Sequence, residues 1–181
     1  MKTTFTKNYI LENRGCYTLR DVNSLSFINK TITINDILSS EKSLKDKGWW
    51  VLRKCELTTK QKKAIVLSLA EIVLPIYEKK YPKDTRVGDC INSIKDFDKG
   101  KIAIIELHTA AVAIHDAAYV PSCDAASDAA YAAYAAACAS FTNSVEASDY
   151  AENSINSVVN AAGDEYKTKI LKALKDVFKI N

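Results

Sequence analysis

With 181 residues, 48% hydrophobic and 26% charged, the chain can bury one sizeable core and is not disordered throughout. Five glycines and three prolines supply too few tight turns for an all-β fold, and no run of ~18–20 apolar residues could span a bilayer. Net charge is a modest +3 and the first ten residues hold no signal-peptide-like apolar stretch, so a cytoplasmic protein without membrane contact is expected.

In chain order, residues 6–13 should form a short helix stopped by Gly15, and residues 19–27 and 34–38 two more. The β-branched run 28–33 alternates like a strand, but a lone strand has nothing to pair with, so it is read as an extended connector. Gly48 is read as a break before a compact turn over residues 49–55. Trp49 and Trp50 cannot both face inward on one helix. One should anchor the core, and Trp49 is taken as an exposed aromatic available to a partner. Residues 1–57 thus form a short-helix subregion packed on a helical bundle over 58–181.

Stronger signals begin at Thr58, which with Gln61 has the spacing of a capping box. Ala64, Ile65, Leu67, Leu69, Ile72, Val73 and Ile76 then give a broad apolar face, with Pro75 expected to kink the helix and Pro82 just past its end. Asp84 should cap the next helix, whose apolar positions are Val87, Cys90, Ile91, Ile94 and Phe97 and which Gly100 closes. A helix over 101–120 and one capped by Ser122 and running to Phe141 follow. A helix over 145–162 then buries Ala151, Ile155, Val158 and Ala162 and is stopped by Gly163. The last begins at Asp164 and buries Ile170, Leu171, Leu174, Val177 and Phe178, leaving five lysines solvated.

Ten alanines lie between Ser122 and Thr142, and Asp-Ala-Ala-Tyr occurs at both 116–119 and 128–131. Alanine is the best helix former, and Ala126, Ala130, Ala133 and Ala137 make one smooth seam that a neighbouring helix can approach closely. A central, closely packed helix is expected. The fold class is therefore all-α: a single-domain multi-helix bundle around an alanine-rich helix.

Charge is unevenly placed. Residues 1–101 carry 20 Lys/Arg against 12 Asp/Glu, whereas residues 102–166 hold nine acids and no Lys or Arg. The expectation is buried helices whose exposed remainder is acidic, which suits a basic protein surface better than nucleic acid. The candidate binding residues are Asp116, Tyr119, Asp124, Asp128, Tyr131, His108 and His115, with Trp49.

Catalytic and metal signatures are missing. His108 and His115 share a helix face, but seven residues rise ~10.5 Å, too far for both to ligate one metal. Asp124 and Asp128 stack at i, i+4 without the Glu-x-x-His motifs of helical metal sites. The five cysteines are odd in number and lack C-x-x-C spacing, which points to buried free thiols. No cofactor is expected.

The helix 64–82, the cap Asp84-x-Arg86-Val87, Ile91, the Gly100-Lys101-Ile102 break and the Ala/Tyr/Asp tract together resemble an alanine-rich helical family of phages and bacteria labelled "putative immunity protein". Residues 11–16 and 47–53 resemble segments preceding this domain in phage members, although the alanine tract here lacks the His and Arg that members often carry. The resemblance implies a phage-encoded, non-catalytic protein that neutralises a toxin or host defence factor by direct binding in the host cytoplasm. The alternative is a helical sponge whose pocket, lined by His108, His115 and tyrosines, sequesters a small signalling nucleotide. Homo-oligomerisation stays open.

Overall fold

A computed structural model describes residues 4–13, 31–118, 124–141, 144–162 and 164–179. The described helices are α1 (Lys7–Glu12), α2 (Ile34–Ser39), α3 (Leu44–Lys54), α4 (Thr59–Lys80), α5 (Arg86–Asp98), α6 (Ile104–Ala118), α7 (Ala125–Phe141), α8 (Ser144–Ala162) and α9 (Lys167–Asp176). The architecture is all-α, and its one sheet among these residues is two residues deep. The expectations at Gly15, residues 19–27, Ser122 and Gly163 lie outside the described residues.

Helix α4 starts where its capping box requires. Thr58 Oγ1 accepts from the Gln61 N–H at 3.2 Å, and Gln61 Oε1 accepts from the Thr58 N–H at 2.9 Å. Its buried face runs Gln61, Ile65, Leu69, Val73, Tyr77 at four-residue spacing, and the helix continues through the exposed Pro75. Helix α5 begins one residue later than expected: Thr85 is the N-cap and makes no side-chain cap bond, its hydroxyl donating to Asp89 Oδ2 at 2.8 Å, while Asp84 Oδ1 accepts from the Arg86 N–H at 3.1 Å. At its far end Gly100, at φ +69°, donates to the Phe97 carbonyl while Lys101 donates to that of Asp96. This is a Schellman closure, and it needs the left-handed residue that glycine provides without strain.

Helix α7 is the centre of the bundle, packed on α8, α4, α6 and α5. The seam Ala126, Ala130, Ala133, Ala137 is buried, and so are Ala129, Ala132, Ala136 and Ala139 on its other sides. Small side chains at these buried positions let four helices approach one axis, and the large ones, Tyr131, Tyr134 and Phe141, take the half-buried side. Its N-terminus is capped by Asp124, whose Oδ1 accepts from the N–H groups of Ala126 (2.9 Å) and Ser127 (3.1 Å).

Two expectations from the N-terminal region are corrected. Ile32–Thr33 does find a partner: it pairs antiparallel with Thr4–Phe5, Phe5 opposite Ile32, and both of these side chains are buried. Gly48 does not break the chain. It lies inside α3, buried, where a Cβ would come within 2.6 Å of Ile155 Cδ1 on α8. The glycine is a notch for Ile155, so α3 and α8 approach closely. Trp50 and Ile10 sit in the same hydrophobic cluster as the bundle helices.

The acids of the cation-free segment draw partners from outside it. Lys80 on α4 pairs with Asp124 at the start of α7, and Lys63 donates to the Ser140 carbonyl near its end. Two antiparallel helices are thereby tied at both ends, each cation meeting the helix pole or carboxylate that favours it. On α3, Arg53 donates to Asp149 at 2.6 Å and to Glu152 at 2.8–2.9 Å, both on α8, and Lys45 donates to Asn160 at 2.9 Å. The exposed remainder is therefore not a bare acidic surface, because three of its acids brace the fold.

Candidate partner-binding face

Helix α6 carries apolar residues on two sides. Leu107, Ala111, Ile114 and Ala117 follow i, i+4, i+7, i+10 and are buried against the bundle. On the opposite side Ile105, His108, Thr109 and Val112 face outward, with Ile104 at the shoulder. Ile104 is 55% exposed, Ile105 67% and Val112 55%; these are the exposed large hydrophobics among the described residues. A helix cannot bury two opposite faces at the edge of a bundle, so one remains in water.

Polar ties hold this helix in place. Tyr77 on α4 donates its hydroxyl to Asp84 Oδ2 at 2.7 Å, Arg86 clasps the same carboxylate at 2.6–3.1 Å, and Arg86 Nη1 reaches the Ala113 carbonyl of α6 at 3.3 Å. Asp-x-Arg is thus a three-helix tie, and Asp84 also accepts the first N–H of α5, that of Arg86, at 3.1 Å. The Arg86 guanidinium holds the Asp84 carboxyl well below its usual range, while burial and then the bond to Asp84 push the Tyr77 phenol up to about 12. At the start of α6 the Ala103 N–H donates to Glu106 Oε2 at 2.8 Å.

The candidate residues divide. His115 lies edge-on to Tyr134 of α7 with centroids 5.4 Å apart, Tyr131 lies 6.0 Å from Tyr134, and His108 lies 6.0 Å from Phe141. These form one aromatic seam along the antiparallel α6–α7 pair, on the flank of the apolar stripe. Asp124 and Asp128 do not join it. Asp124 caps α7 and pairs with Lys80. Asp128 bonds Asn160 of α8 near Lys45, its pKa raised first by burial. Trp49 is half-buried on α3, with the Lys54 ammonium 5.3 Å over its ring. The Asp116 side chain and Tyr119 lie outside the described residues.

Ile104, Ile105 and Val112 were not singled out from the sequence. The available signal was the second apolar stripe on a helix that already had one. Burial pushes the Cys55 and Cys90 thiols up to about 12 and also raises Cys138, which leaves these buried thiols protonated and unreactive at neutral pH. Among the described residues no group of three His, Cys, Asp or Glu side chains could hold a metal ion, and no described helix is long and apolar enough to cross a membrane. An open groove of about 580 Å³ lies along the α4–α5 turn, lined by residues 80–86.

No curated protein and no solved structure matches the chain. The family model described as "Imm-5 like putative immunity protein" matches residues 56–176, about two thirds of the chain, from the residue before Leu57 to the end of α9. The chain belongs to that immunity-protein family.

Proposed function

We propose that this chain is a non-catalytic neutraliser that binds a toxin or defence factor directly, one to one, through the outward face of α6. The observation that carries the reading is the exposed Ile104, Ile105 and Val112 stripe on a helix whose other face is fully packed. Family membership supports the neutralising role. The partner is a protein with an apolar patch rimmed by Lys or Arg, because residues 102–166 contribute no cation to this face and Glu106 stands exposed on it. A phage origin and a cytoplasmic location belong to the same reading. The nucleotide sponge is not favoured, since the His108–His115 seam has no Lys or Arg from its own segment for a phosphate.

Co-purification of the tagged chain from bacterial lysate, followed by mass spectrometry and a salt titration, tests the proposal. A basic partner at near-unit stoichiometry, weakened by salt, is expected. Absence of a stoichiometric protein, or a partner with an acidic contact surface, contradicts it.

A further inference from the structure

Four outward residues of α6 stand at i, i+3, i+4 and i+7: Ile105, His108, Thr109 and Val112, all exposed. That diamond is the socket into which a facing helix inserts one side chain in knobs-into-holes packing. Its layers are three or four residues apart, a rise of ~4.5–6 Å, which matches the one-turn spacing of side chains along a second helix. A strand repeats its side chains on one face every ~7 Å and falls out of step by the second. The socket is also cheap to cover. Thr109 Oγ1 donates to the Ile105 carbonyl at 2.8 Å, so its hydroxyl needs no water when an apolar side chain lies over it. The His108 ring, on the α7 side, lies 6.0 Å from Phe141 and widens the wall. On the other flank, towards α5, Glu106 is exposed. Arg86, which reaches this flank, and Lys101, just before the helix, are paired with Asp84 and Asp96, so Glu106 sets the charge there.

From this geometry we infer that the partner meets the face with an amphipathic α-helix laid along α6, its apolar residues one turn apart and Lys or Arg beside them. The inference rests on the α6 reading above and names the element that fills the face. One apolar side chain of the partner helix enters the socket, and Ile105 and Val112 enter sockets on the partner in return. Such packing sets the two axes ~8–10 Å apart at a shallow crossing of about 20°. Basic residues flanking the partner's apolar stripe then come to lie over Glu106, as flanking charges do in paired helices. A strand or loop could cover the socket but would offer Ile105 and Val112 no matching holes.

Fluorescence anisotropy of labelled synthetic peptides titrated with the whole chain tests the inference. The probe is a helix-forming peptide of three heptads with Leu along one stripe and Lys on both flanks. Its comparators carry Glu on the flanks, a central Pro, or the same residues in scrambled order. The Lys peptide should bind saturably and gain helical circular dichroism, and each comparator should bind about tenfold more weakly or worse. Ile105→Lys/Val112→Lys should lose the peptide. Thr109→Lys, which fills the socket with a charged side chain at an exposed position, should weaken it about tenfold, and Thr109→Val should retain it. No saturable binding, equal binding of the Pro-broken peptide, or unchanged binding by Thr109→Lys would overturn the docked helix. The two failures stay distinguishable. A protein partner that Ile105→Lys/Val112→Lys releases, but whose segment protected in hydrogen exchange is not helical, would keep the α6 reading and overturn this inference. A partner that the double variant retains would overturn the reading itself.

Discussion

Helices α6 and α7 look alike in sequence: adjacent, rich in alanine, free of Lys and Arg, each carrying Asp-Ala-Ala. Their places in the molecule are opposite. Helix α7 is buried on most sides because its packed positions are alanines, which let α4, α5, α6 and α8 close around it and leave Asp128, Tyr131, Tyr134 and Phe141 half-buried. Helix α6 has Leu107, Ala111 and Ile114 inside but Ile105 and Val112 outside, where no described element covers them. Equal hydrophobicity therefore serves two ends. In α7 it is packing, and in α6 half of it lies exposed, on the face proposed to meet a partner.

The largest effect is expected from breaking the α7 side of this comparison. Ala133→Leu inserts three carbons at a fully buried contact and should destabilise by ~3 kcal/mol or unfold the chain, measured by urea denaturation. A loss below ~0.5 kcal/mol would mean that α7 is loosely enclosed. Gly48→Ala applies the same reasoning to α3 and α8. Better helix propensity is worth up to ~1 kcal/mol, but the clash with Ile155 should outweigh it, leaving a net loss of ~1–2 kcal/mol in the same measurement. A gain in stability would show that Ile155 can move aside.

Gly48 also marks where sequence reasoning stops. The capping box at Thr58, the glycine closure at Gly100 and the central alanine helix were legible because each is set by neighbours within one or two turns. The role of Gly48 is set by Ile155, over a hundred residues later, so local rules read a notch as a break. The Thr4–Phe5 strand is too short to show periodicity, which left Ile32–Thr33 without a visible partner. Asp84 does accept the first N–H of α5, one position before the N-cap, but its bonds to the Arg86 guanidinium and to Tyr77 of α4 could not be read locally. The candidate residues were chosen for chemistry, and of these only His108, His115 and Tyr131 line the α6–α7 seam. The stripe itself was missed because apolar residues on an alanine-rich helix read as core.

A smaller effect should come from the polar tie holding α6. The folded-state pKa of Asp84 lies below its unfolded value of ~3.9, so the carboxylate stabilises the fold fully above that pH. The contribution is lost as pH falls from there through the folded pKa. Asp84→Asn should thus lower Tm at pH 7, and the gap to wild type should narrow steadily as pH falls below ~3.9 without closing by about pH 3. A Tm gap that persists unchanged in acid would rule out charge as its source.

The comparison comes down to α6, where stability and binding should separate. Ile105→Lys/Val112→Lys changes two exposed side chains, so Tm should stay within about 1–2 °C of wild type. The affinity for the co-purified protein partner should meanwhile fall at least a hundredfold, as apolar contact is removed and charge set against a basic rim. A double variant that keeps both its Tm and its partner would show that the outward face of α6 is not where this immunity protein binds.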